Sequence, residues 1–131
     1  MNKSKVAFNI ADDIYTFNSK YIKLKSKLKN QQITQQQFTN AQYVLMCKVA
    51  YLKDVIDKLS NYGYKFARYE KEMCVLQDLV EDITESFNIE ELSSLSIKES
   101  FSICTYLSKY EDVCDIENEF YEELKEKVAN N

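Results

Sequence analysis

Early in the chain, apolar residues fall at Val6, Ile10, Ile14, Phe17, Tyr21, Leu24 and Leu28, with polar residues filling most of the intervals. Steps of four and three trace one stripe along a helix and predict a helix from about residue 4 to 29. A polar connection at residues 30–32 precedes Ile33-Thr34-Gln35-Gln36-Gln37-Phe38. Here Thr34 can cap a second helix, Gln37 completes the capping box, and Ile33 can staple onto Phe38.

From Phe38 an apolar residue recurs every seven positions, at Leu45, Leu52, Leu59, Phe66, Met73, Val80 and Phe87. Val49 and Ile56, then Tyr69, Leu76 and Ile83, accompany the series. That spacing is compatible with a coiled-coil-like seam, and it admits burial in a homodimer as well as inside the chain. Gly63 interrupts the run and can end a helix in the left-handed conformation. The companion spacing also changes there, so two helices are expected, about 35–61 and 65–87.

Asn88-Ile89-Glu90-Glu91 and Ser96-Ile97-Lys98-Glu99 each set a capping residue three before a glutamate, and each predicts a further helix start. Ile97, Phe101, Cys104 and Leu107 form the next expected stripe; Val113, Ile116, Phe120, Leu124 and Val128 form the last. The expectation is an all-α helical bundle with three long helices and two or three shorter ones, residues 1–131 making a single helical domain.

Composition supports that fold class. Proline is absent and Gly63 is the one glycine, so the residues that build tight sheet turns are nearly missing. A chain of 131 residues can bury about two-thirds of its unfolded surface, enough for a core without staples. No stretch approaches the roughly 18 apolar residues of a membrane span, and the first residues do not read as a signal peptide. A cytoplasmic protein without membrane partners is expected. Asn, Ile, Lys, Tyr and Phe supply 53 of the 131 residues, while Gly, Ala, Pro and Arg together supply eight. This bias points to an AT-rich genome and weakens any functional reading of lysine or tyrosine abundance.

Chemistry-bearing motifs are few. The spacing of Cys47, Cys74, Cys104 and Cys114 matches neither redox pairs nor zinc knuckles, and histidine is absent. Buried, reduced, inert thiols are expected, with no metal, no cofactor and no enzymatic activity. Residues 1–71 carry thirteen Lys and Arg against five acids, whereas residues 72–131 carry four against sixteen. Lys20, Lys23, Lys25, Lys27 and Lys29 flank an apolar stripe, as lysines on a partly buried amphipathic helix do. The same lysines form the candidate surface for nucleic acid. The acids Glu111, Asp112, Asp115, Glu117, Glu119, Glu122, Glu123 and Glu126 surround the last stripe and read as a solvated face.

The remaining cluster holds Tyr62, Tyr64, Lys65 and Arg68, beside the one glycine and including the one arginine. Tyrosine and arginine combine large contact area with polar ends and are enriched where binding energy concentrates. These four are the candidate partner-binding residues. The function expected from sequence is a non-enzymatic helical protein that binds and regulates another protein, such as an accessory or inhibitory protein of a phage or mobile element. Nucleic-acid binding through the basic N-terminal helix is the alternative.

Overall fold

The computed structural model describes residues 3–61, 63–111 and 126, and they contain no β-strand. Four α-helices follow in order: α1 (Lys3–Lys29), α2 (Gln35–Asn61), α3 (Glu70–Ser86) and α4 (Ile97–Leu107). α1 and α2 pack against each other and against α3, while α4 packs on α2. The expected last stripe, its acids from Asp112 to Glu123, and Tyr62 and Cys114 lie outside the described residues.

The stripe read along the first helix is buried as expected. Val6, Ile10 and Ile14 are fully enclosed, and Phe17 and Tyr21 join them in one continuous core. On α2 the seven-residue series is buried at Phe38, Leu45, Leu52 and Leu59, so this part of the seam is satisfied within the chain. Each enclosed leucine on it should cost about 2–5 kcal/mol on truncation to alanine. α3 contributes Leu76, Leu79 and Ile83, whereas Met73 and Val80 are only partly buried.

Two helix ends share one device. After α1, Gln31 adopts φ 59°, the Gln32 amide donates to the Lys27 carbonyl at 2.8 Å, and the Gln31 amide donates to that of Leu28. After α2, Gly63 adopts φ 87°, with Tyr64 bonded back to Leu59 and Gly63 to Ser60. Both are Schellman caps, which satisfy the last carbonyls of a helix and turn the chain away. The break expected at Gly63 is therefore present. The next helix begins later than expected, at Glu70, after a 3₁₀ turn at Ala67–Tyr69.

Capping boxes set two helix starts. Thr34 and Gln37 exchange bonds of 2.9 and 3.0 Å, as do Ser96 and Glu99 at 2.8 and 3.1 Å. The start read at Asn88, whose helix must be short, is a single 3₁₀ turn, Ile89–Glu91. There the Asn88 side chain takes the amide of Glu90, two residues on, rather than capping a longer helix.

The larger correction concerns α4. Ile97 and Phe101 of the expected stripe are 83% and 71% exposed, while Leu107 of the same stripe is buried, together with Ser100 and Ile103. Cys74 is likewise exposed rather than buried; it lies on the solvent side of α3, one helical step off the Met73 and Leu76 positions. Cys47 is buried and Cys104 half-buried.

Candidate functional site

α4 is a short helix held at three places. At its start, Asn40 of α2 clamps the preceding loop: its amide nitrogen donates to Ser93 Oγ at 2.9 Å, and its carbonyl oxygen accepts from the Ser93 amide at 3.0 Å. In the middle, Lys48 Nζ of α2 donates to Ser102 Oγ at 2.6 Å. In its last turn and just beyond, Asp13 of α1 accepts from Tyr106 at 2.8 Å and Tyr110 at 2.7 Å, and it pairs with Lys109 at 2.9 Å. The Tyr106 ring meets Phe17 edge-on at 5.0 Å and Tyr51 at 5.9 Å.

Burial, reinforced by the adjacent Asp13 carboxylate, pushes the Tyr106 and Tyr110 hydroxyls above their ordinary range. They remain protonated donors. The result is an anchored helix whose outward face carries Ile97 and Phe101, four residues apart and so on one side.

Beside this helix lies a cleft of about 290 Å³ between α1, α2 and α4. Its floor is apolar, built from Phe17, Leu24, Val44 and Leu45, and its rim carries Lys20, Lys48 and Lys98. A wider depression continues past Phe101 and Tyr106 to Lys109. Lys48 is half-buried, and that dehydration, with Lys20 nearby, lowers its ammonium below the usual lysine range. Glu99 also borders the cleft, but its carboxylate accepts the Ser96 amide in the capping box. Among the described residues, no carboxylate forms an ion pair with Lys20, Lys48 or Lys98.

Three of the four expected partner-binding residues are described. Tyr64 is partly buried and packs on the core, as the residue following a Schellman cap often does. Lys65 and Arg68 are exposed, and Tyr62 lies outside the described residues. The basic helix also divides. Lys20 faces the cleft, whereas Lys25 pairs with Asp82 of α3 at 2.8 Å and lies 4.8 Å from the Tyr21 ring. Lys23, Lys27 and Lys29 are exposed.

Burial pushes the Cys47 thiol up to about 11 and the neighbouring Tyr43 hydroxyl up to about 12, so both are protonated at neutral pH. No group of three or more acidic or cysteine side chains among the described residues is placed to hold a metal ion. None of the described helices is long and apolar enough to cross a membrane.

The cleft was not legible in the sequence. Lys48 and Lys98 are distant in the chain and share no motif; only the burial of Phe17 and Leu45 beside them makes them neighbours on one rim. Comparison with known protein families, with curated proteins and with solved structures finds no match.

Proposed function

We propose that this chain is a non-enzymatic helical protein that binds another protein through the outer face of α4 and thereby regulates or blocks it. One observation carries the reading. Ile97 and Phe101 are large, apolar, adjacent on one helical face and mostly exposed, on a helix whose position is fixed by Asn40, Lys48 and Asp13. Exposed apolar surface on a rigid element is the usual anchor of a protein interface, because its burial against a partner needs little reordering of the chain.

Another exposed line, Phe8, Tyr15 and Ile22, runs along α1 at intervals of seven. Tyr15 on it already donates to Glu72 of α3 at 2.8 Å, so part of that line is engaged within the chain. The four helices form a bundle in this reading, and self-association along the line on α1 is secondary to partner binding. The wider setting is a cytoplasmic accessory or inhibitory protein of a phage or mobile element, which suits the small size and AT-rich composition.

Affinity purification from the native host tests the proposal when wild type is compared with Phe101→Ser. A protein that co-purifies with wild type and is lost with the variant supports it, and equal recovery counts against it. The alternative, phosphate contacts through Lys20, Lys23, Lys25, Lys27 and Lys29, separates by salt. Such contacts weaken steeply as salt rises, whereas an apolar interface responds little.

A further inference from the structure

Among the described residues, no carboxylate pairs with the Lys48 ammonium. Its ammonium is half-dehydrated, its hydrogen bond to Ser102 goes to a neutral hydroxyl, and Lys20 and Lys98 share the same rim. Among the described residues neither of those two is paired with a carboxylate, and Glu99 is turned to the cap of α4. Directly below, the cleft floor is apolar. A neutral ligand would leave the mutual repulsion of the lysines in place, and a cation would add to it. An anion relieves it.

Size narrows the ligand further. At about 290 Å³ the cleft lies at the small end of ligand sites and cannot enclose a helix, which is about 10–12 Å across. We propose that it binds a small amphiphilic carboxylate, a single alkyl chain lying on the apolar floor with its head group on Lys48 between Lys20 and Lys98. The proposal uses the inner side of α4 and does not depend on the protein-binding role of its outer face.

The test is titration of the isotopically labelled full chain with decanoate, kept below the concentration at which it aggregates, with decanol and decylammonium as matched probes. Decanoate should bind saturably at one site, with shifts centred on Phe17, Leu24, Val44 and Ser102, and more tightly than either matched probe. Lys48→Gln should weaken it at least about tenfold, as expected for loss of one charge-assisted contact. Lys98→Gln, at an exposed position, should weaken it several-fold with thermal unfolding unchanged. Lys53→Gln, exposed on α2 away from the cleft, should leave it unchanged. Decanol binding as tightly as decanoate would overturn the proposal, and so would equal affinities for the Lys48 and Lys53 variants. Absence of saturable binding, or binding only to anionic vesicles or to an acidic peptide, would overturn it as well.

Discussion

The Tyr106 hydroxyl beyond the midpoint of α4 donates a 2.8 Å hydrogen bond to Asp13 Oδ2 on α1, joining residues 93 positions apart. Asp13 also receives Tyr110 and Lys109, and its side chain is only 13% exposed. Replacing it with alanine removes a charged acceptor while leaving two hydroxyls and an ammonium behind. Hydrogen bonds to charged groups contribute about 1.5–3 kcal/mol, so Asp13→Ala should destabilise the fold by about 2 kcal/mol or more. Denaturant unfolding with an unchanged m-value measures this, and a loss under about 0.5 kcal/mol would show that the anchor is dispensable.

The same cluster, together with Cys47 and Tyr43, sets a pH response. At neutral pH the Cys47 thiol and the Tyr43, Tyr106 and Tyr110 hydroxyls are protonated in both folded and unfolded chains. As pH passes the ordinary values of 9.0 for the thiol and 10.0 for the hydroxyls, the unfolded chain releases protons that the folded chain retains. Stability should therefore fall as pH rises, with the Cys47 contribution lost by about 11 and that of Tyr43 by about 12. Tyr106→Phe should make the alkaline decline shallower in unfolding measured at pH 8 and pH 10.5. An equal decline would remove Tyr106 from the account.

The matched caps on α1 and α2 predict substitutions of opposite sign. Gly63 holds φ 87° with open space where a Cβ would lie, so Gly63→Ala should cost about 1 kcal/mol through backbone strain alone. Gln31 holds φ 59° despite its side chain, so Gln31→Gly should stabilise by a few tenths of a kcal/mol or more. Thermal unfolding of the two variants checks the pair, and shifts in the same direction would contradict the cap assignment.

How far the sequence reached depends on whether one face or two faces of a helix are apolar. α2 offers one stripe, and on α1 the stripe from Val6 to Leu28 outnumbers the line of Phe8, Tyr15 and Ile22; Ile14 and Leu52 are buried where periodicity put them. α4 offers two. Ile97, Phe101, Cys104 and Leu107 make one apolar series and Ile103, Leu107 and Tyr110 another that shares Leu107, and spacing alone does not rank them. The choice is made by Asp13, whose bonds to Tyr106 and Tyr110 turn the second series inward. Because that acceptor comes from the other end of the chain, no local pattern announces it. The candidate surfaces differ in what sequence could show of them: at the corner near Gly63, Tyr64 is half-buried after the helix cap while Lys65 and Arg68 are exposed, and Phe101, read as part of an apolar stripe, faces out.

A polar contact buried between three helices adds another expectation. Gln42 is enclosed, and its amide nitrogen donates to Ser86 Oγ at 2.7 Å and to the Tyr21 hydroxyl at 3.1 Å. Gln42→Leu removes that donor from both oxygens, which stay bonded to each other at 3.1 Å, so it should destabilise by about 1 kcal/mol although leucine is more apolar. Paired with Tyr21→Phe, the loss should be less than additive in a double-mutant cycle, because one variant already removes what the other disrupts. Full additivity would show that the two side chains act independently.

The outer face of α4 is tested most directly by the affinity of a purified partner for Ile97→Ala and Phe101→Ala, with thermal unfolding measured on the same samples. Both positions are exposed, so unfolding should change by less than about 0.5 kcal/mol. Phe101→Ala should nonetheless cost about 2 kcal/mol or more in binding, roughly thirtyfold in affinity, as an interface anchor does. Native affinity in both variants, with binding lost instead in Arg68→Ala at the corner after Gly63, would contradict the account.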